Sequence, residues 1–143
     1  MIIRDVMTNP VVRINPEETV SVAARTLANY NIGMLPVCGA DGRVCGVVTD
    51  RDLVIRCVAS GRNPAATAVR DVMTSHVVSV ASGMDTAEAA SLMGREQIRR
   101  LPVVENGKLC GMVSLGDLAN RERTNGEAGK ALSEISSNLS RRD

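Results

Sequence analysis

A chain of 143 residues with 44% apolar content has enough material for one ordinary domain or two very small ones. Its 17 basic and 16 acidic residues leave a net charge of +1, which argues against binding nucleic acid or an anionic membrane through a bulk field. One Tyr and no Phe or Trp leave the core to aliphatic side chains. No apolar run approaches the roughly 18 residues of a membrane span. The N-terminus also lacks a basic region followed by an apolar one, so a soluble, cytoplasmic protein is expected.

Taken in order, the chain repeats itself. Ile3-Arg4-Asp5-Val6-Met7-Thr8 returns as Val69-Arg70-Asp71-Val72-Met73-Thr74, an offset of 66. Val11-Val12 returns as Val77-Val78, and Leu35-Pro36-Val37 as Leu101-Pro102-Val103, at the same offset. From Gly42, matched to Gly107, the offset is 65, so one residue is lost in a turn, where an indel costs least.

Within each copy, Val11 to Ile14 reads as a short strand. A helix is predicted over Thr19 to Asn31 from Val20, Ala23, Ala24, Leu27 and Ala28 at helical spacing. Its counterpart opens with Asp85-Thr86-Ala87-Glu88, a capping-box pattern. Strands over Leu35 to Cys38 and Arg43 to Thr49 flank the hairpin loop Gly39-Ala40-Asp41-Gly42, and the second copy has the tighter Asn106-Gly107 turn. A last helix is expected from Asp50 to about Ser60, closed by Gly61. The unit is strand, helix, strand, strand, helix. It is too small to bury a core alone, so two copies should pack as one α/β (α+β) body. The boundaries are 1–66 for the first repeat, 67–121 for the second and 122–143 for a tail. Ala131, Leu132, Ile135 and Leu139 give that tail a short amphipathic helix, docked on this chain or on a partner.

The four cysteines show neither CxxC spacing nor a pairing with the single His76, so no metal site is expected. Cys45 and Cys110 hold equivalent places before a glycine, where a small buried residue would serve, and Cys38 could face Cys45 across the hairpin in a redox pair.

The chemistry concentrates in Gly46-Val47-Val48-Thr49-Asp50-Arg51-Asp52-Leu53 and its near-copy Gly111-Met112-Val113-Ser114-Leu115-Gly116-Asp117-Leu118. A strand ending in a hydroxyl residue and turning straight into a helix reads two ways. It is a capping box, or it is a turn presenting backbone N–H groups to a phosphate and a carboxylate to ribose hydroxyls. Arg99 and Arg100 place two guanidinium groups where the first copy has Gly33 and Met34. They read as a phosphate contact or as a solvated basic pair. Asp50-Arg51 reads as a surface ion pair or a further phosphate contact, and His76 as a loop residue or a ligand contact.

With these motifs recurring in register over residues 3 to 121, the chain resembles a tandem pair of cystathionine β-synthase (CBS) domains. The run Asn31-Ile32-Gly33-Met34-Leu35-Pro36-Val37-Cys38-Gly39 with Thr49-Asp50-Arg51-Asp52 is similar to stand-alone CBS pairs of the mycobacterial hypoxic response type. The resemblance implies two β-α-β-β-α repeats in a pseudo-two-fold Bateman module with no catalytic residues and no required cofactor. It implies regulatory binding of AMP, ADP, ATP, NAD or S-adenosylmethionine in clefts between the repeats, and a homodimer meeting through helices. Carried onto this chain, one ligand set comprises Thr49, Asp50, Asp52, Thr74, Val78, Ile98, Arg99 and Arg100. The other comprises Ser114, Asp117, Thr8, Pro10, Val12, Ile32 and Gly33. With its arginines, the first set is expected to take a phosphorylated ligand, and the second a less charged one or none. The alternative is a structural or redox stress-response dimer whose clefts stay empty.

Overall fold

Residues 1–9 and 11–120, with Ala131 and Ile135, are described by a computed structural model. Helix α1 (Val20–Tyr30) begins where Thr19 caps it, its hydroxyl accepting from the Val22 N–H at 3.3 Å. It ends at Asn31, whose φ of 52° turns the chain left-handed. Asn31 N–H then reaches Ala28 O, and Ile32 N–H closes back on Leu27 O. Antiparallel strands β1 (Met34–Cys38) and β2 (Val44–Thr49) follow as a hairpin. A one-turn helix α2 (Asp50–Asp52) continues as a wider π helix over Leu53–Val58. It stops as expected at Gly61, φ 75°, where Gly61 N–H meets Val58 O and Arg62 N–H meets Cys57 O.

The second copy repeats the order with α3 (Thr86–Glu96), β3 (Arg100–Glu105), β4 (Lys108–Ser114) and the short α4 (Leu115–Ala119). Asn106 and Gly107, both at positive φ (54° and 79°), make the tight turn their sequence demands. Two expectations need correction. The cap of α3 is not a full box, because Asp85 accepts from the Ala87 N–H at 2.8 Å, one residue short of Glu88. The strand read over Val11 to Ile14 shrinks to one parallel bridge, Ile14 to Val37, with Ile14 N–H on Pro36 O and Cys38 N–H on Ile14 O. Val80 and Val103 repeat that bridge in the second copy.

The compact units do not coincide with the sequence repeats. One unit is Val12–Val77 with Gly107–Leu109; the other is Met1–Val11, Val78–Asn106 and the chain from Cys110 onward. Each repeat therefore lends its N-terminal arm to the body of the other. In the first of these units, the arm from residue 67 lies along the start of α1, with Thr67 O on Val20 N–H and Val69 N–H on Glu18 O. In the other, the arm from residue 1 does the same at α3, with Met1 O on Thr86 N–H and Ile3 N–H on Met84 O. Ile3, Val6, Ala90, Met93, Leu101, Val113 and Leu118 fill one core, and Val20, Leu27, Leu35, Val48, Val69 and Val72 the other. Ala131 and Ile135, helical and one turn apart, are buried in the core that holds Ile3. The tail stripe therefore docks on this chain at those two positions. Leu132, Leu139 and the rest of the predicted tail helix lie outside the described residues.

Each arm finishes by crossing a strand at a glycine. Thr74 and Val47 exchange both backbone hydrogen bonds (2.8 and 2.9 Å), and Thr8 and Met112 do the same (2.7 and 3.0 Å). A Cβ on Gly46 would lie 2.8 Å from both Met73 Sδ and Thr74 O, and one on Gly111 would lie 2.5 Å from Met7 Sδ and 3.2 Å from Thr8 O. Met7 and Met73 thus pack over bare glycine backbone as well as filling gaps. Gly46→Ala is expected to lower unfolding free energy by about 1–3 kcal/mol. Gly83→Ala, with nothing within 4 Å of the added methyl, should stay close to wild type. Urea denaturation of the three proteins checks this.

Candidate functional site

The first hydroxyl–carboxylate turn is held from several sides. Thr49 Oγ1 accepts from the Asp52 N–H at 3.0 Å, and Asp52 Oδ2 accepts from the Thr49 N–H at 3.0 Å, a complete capping box. Asp52 is only 8% exposed. The Thr74 hydroxyl, delivered by the crossing arm, donates toward both carboxylate oxygens at 3.2 Å. Arg56 Nε stands 3.9 Å from Oδ1, and its terminal nitrogen donates to Met73 O at 2.8 Å and Val72 O at 3.3 Å. The guanidinium therefore ties the arm to the same turn that carries the carboxylate. Arg56 was absent from the sequence-derived set. Its four-residue spacing from Asp52 on a helix was the available signal.

The second turn shares the box and, among the described residues, lacks the additions. Ser114 Oγ accepts from the Asp117 N–H at 3.0 Å, and Asp117 Oδ2 accepts from the Ser114 N–H at 2.9 Å. Among the described residues, Oδ1 is left as an acceptor. Thr8 is joined to the neighbouring strand through its backbone, on Met112.

The first turn does not offer the open amides expected of a phosphate cradle. Asp50 N–H goes to Gly33 O at 3.1 Å, Arg51 N–H to Asp50 Oδ1 at 2.8 Å and Asp52 N–H to Thr49 Oγ1. At the second, Leu115 N–H goes to Arg99 O at 2.7 Å and Asp117 N–H to Ser114 Oγ. The three amides that would greet an anion at the first turn are thus already paired, and at the second turn those of Leu115 and Asp117 are.

Of the first set, the structure brings Thr49, Asp52 and Thr74 together in one unit, and Asp50 points elsewhere. Its Oδ2 lies 3.5 Å from where a Cβ on Gly33 would stand. Val78 and Ile98 are half-buried against the core that holds Ile3, while Arg99 and Arg100 are exposed at the start of β3. Of the second set, Ser114, Asp117 and Thr8 share a unit, and Val12 and Ile32 pack on the core that holds Val20, with exposed Gly33 beside Ile32. Pro10 lies outside the described residues. His76 is exposed.

All four cysteines are free thiols. Cys38 and Cys57 are buried, but Cys45 is exposed and Cys110 only half-buried, against the expectation of small packed residues before each glycine. The register slips beside Cys38, which pairs with Val44 while Val37 pairs with Gly46, so Cys45 is the extra residue of a bulge. Its thiol turns back on the strand to donate to Val37 O at 3.3 Å, as Cys110 does to Val103 O. Among the described residues, no three His, Cys, Asp or Glu side chains are grouped to hold a metal ion, and no helix is long and apolar enough to cross a membrane.

Comparison with known proteins agrees with this architecture. The CBS domain model matches residues 3–58 and 69–123. The CBS domain-containing protein YhcV of Bacillus subtilis is 40% identical over 134 residues, 94% of either chain. Hypoxic response protein 1 of Mycobacterium tuberculosis is 34% identical over 116 residues, 81% of either chain. A crystal structure of Hypoxic Response Protein I with two coordinated zinc ions aligns with a TM-score of 0.78 at 32% identity, over 85% of this chain and 98% of that one. The CBS domain pair of protein MJ0100, in complex with 5′-methylthioadenosine and S-adenosyl-L-methionine, shares the fold at 21% identity, with a TM-score of 0.73 over 84% of this chain and 94% of that one. Two matched domains, one for each repeat, and relatives covering most of the chain establish that it belongs to the CBS-domain family as a tandem CBS pair.

Proposed function

We propose that this chain is a non-catalytic regulatory module that binds adenosine-containing ligands (AMP, ADP, ATP, NAD or S-adenosylmethionine) through its two Thr/Ser-x-x-Asp turns. The observation that carries the reading is the repeated carboxylate. Asp52 and Asp117 are each held in one orientation by a capping box, and Oδ1 faces away from the backbone bond, suited to accept from ribose hydroxyls. The adenosyl ligands held by the CBS pair of MJ0100 support the same ligand class. Arg99 and Arg100, exposed at the head of β3, are suited to a phosphate, each charge-assisted bond being worth about 1.5–3 kcal/mol. A ligand signals only through a difference in affinity between two arrangements of the chain or its dimer.

Thermal unfolding with AMP, ADP, ATP, NAD or S-adenosylmethionine tests this. A bound ligand at 100 times its dissociation constant adds about 2.7 kcal/mol, several degrees for a domain of this size. Asp52→Ala and Asp117→Ala should each remove part of the shift. No shift with any ligand refutes the reading, and a full shift in both variants refutes the residue assignment.

A homodimer is part of the same reading. Val54, Ile55 and Val58 on the π helix are 54%, 48% and 62% exposed, an apolar ridge of the kind a second copy would cover. Val58→Glu should halve the mass measured by light scattering at unchanged circular dichroism.

The redox alternative is disfavoured by thiol chemistry. Burial pushes the Cys38 thiol above its ordinary pKa, and desolvation of the sulfurs does the same at Cys45 and Cys110. A raised pKa leaves little thiolate at neutral pH, and the thiolate is the reactive form. Iodoacetamide should therefore alkylate the folded chain more slowly than glutathione at neutral pH, and faster as pH rises. A thiol outpacing glutathione would restore the redox reading.

A further inference from the structure

The two oxygens of the Asp52 carboxylate are held in different ways. Oδ2 accepts from the Thr49 N–H at 3.0 Å, a bond inside the turn itself. Oδ1 meets the Thr74 hydroxyl at 3.2 Å, and the same hydroxyl lies 3.2 Å from Oδ2. One hydroxyl proton divided between two oxygens at that distance makes a long bond, weaker than a direct one. Asp52 is 8% exposed, so a further hydroxyl reaching Oδ1 has to take the place of the one already there. The segment that brings Thr74 is fixed by other contacts. Thr74 exchanges two backbone bonds with Val47, and Arg56 donates to the carbonyls of Met73 and Val72 at 2.8 and 3.3 Å. A rotation about the Thr74 Cα–Cβ bond therefore frees Oδ1 and leaves those backbone contacts in place. All of these residues belong to the Val12–Val77 unit.

We infer that Thr74 is an internal competitor for the ligand: its hydroxyl stands on Asp52 where a ribose hydroxyl binds, and a ligand enters by displacing it. The inference rests on the adenosine-binding reading above, and it replaces the ligand-contact role that the family resemblance implies for Thr74. Exchanging one hydroxyl for another leaves the number of bonds to the carboxylate unchanged. Affinity at this turn is then set by the difference between the two bonds, and the chain holds its own affinity down. Arg56 supports the competitor by fixing the carbonyls of the two residues before it.

Isothermal titration of the full chain with adenosine and with 2′,3′-dideoxyadenosine tests this, for wild type, Thr74→Val and Asp52→Ala. The binding event lost in Asp52→Ala marks the turn. Val keeps the branched shape of Thr74 and both backbone bonds to Val47, and circular dichroism checks that the variant folds. Removing the competing hydroxyl should tighten adenosine at that event by about fivefold, the worth of one ordinary hydrogen bond, and leave 2′,3′-dideoxyadenosine ungained. An adenosine affinity that is unchanged overturns the inference, and so does one that falls, which makes Thr74 a ligand contact; in both cases the adenosine reading stands. Equal tightening of the two nucleosides overturns it too, because the gain then does not come from the ribose hydroxyls. Should Thr74→Val fail to fold, Thr74→Ala, which also lacks the hydroxyl, is read by the same criteria. No binding by wild type, or no event lost in Asp52→Ala, overturns both this inference and the reading it rests on.

Discussion

The structure depends on two places where a backbone crosses a glycine. At Gly46 and Gly111 the arm of one repeat passes so close to a strand of the other that a methyl group would meet a methionine sulfur or a threonine carbonyl. The crossing sets the register of the arm, because Thr74 and Thr8 each exchange two hydrogen bonds with a strand residue one step beyond the glycine. In the Val12–Val77 unit, register in turn decides chemistry. With Met73 seated over Gly46, the Thr74 hydroxyl comes to the Asp52 carboxylate and the carbonyls of Val72 and Met73 come to Arg56. At Gly46 the constraint thus runs from packing to the polar turn.

On this shared scaffold the repeats differ in what fills the polar positions. The capping boxes are alike to within 0.1 Å in both hydrogen bonds. The surroundings are not. Asp52 has a hydroxyl and a guanidinium near it, whereas Asp117 keeps one oxygen as an open acceptor among the described residues. Gly33 faces a carboxylate and Arg99 accompanies a leucine. The backbone geometry of the two turns is alike while their polar surroundings differ.

Much of this was legible in the sequence, for identifiable reasons. The repeat offset exposed the element order, and caps at Thr19, Asn31, Gly61 and Asn106-Gly107 marked turns whose chemistry is local. The exchange of arms was not legible. Met7-Thr8 and Met73-Thr74 are near-identical, as are the strands after Gly46 and Gly111, so pairing within a repeat and pairing across repeats satisfy the same pattern. Nothing local distinguishes them. The orientation of Asp50 was not legible either: its N–H is turned onto Gly33 O and its carboxylate lies beside Gly33, a contact that adjacency to Thr49 does not report. The bulge that exposes Cys45 is likewise a matter of register between strands, which alternation within one strand does not report.

The satisfied state of Asp52 bears on how a ligand would signal. Its carboxylate has partners from its own turn and from the arm, so the turn needs no ligand to fold, and binding energy is not spent on making the site. In the proposed reading, ribose hydroxyls compete with Thr74 for Oδ1. A ligand that wins must shift the Thr74 hydroxyl, and Thr74 is one residue from the carbonyl that Arg56 holds and is itself bridged to Val47. The hydrogen bond that the ribose displaces is therefore one that ties an arm to a body. Asp117, whose box has no such hydroxyl on it among the described residues, would bind without that exchange. In that reading, occupancy of the Asp52 turn is coupled to the contact between the arm and the body of the Val12–Val77 unit.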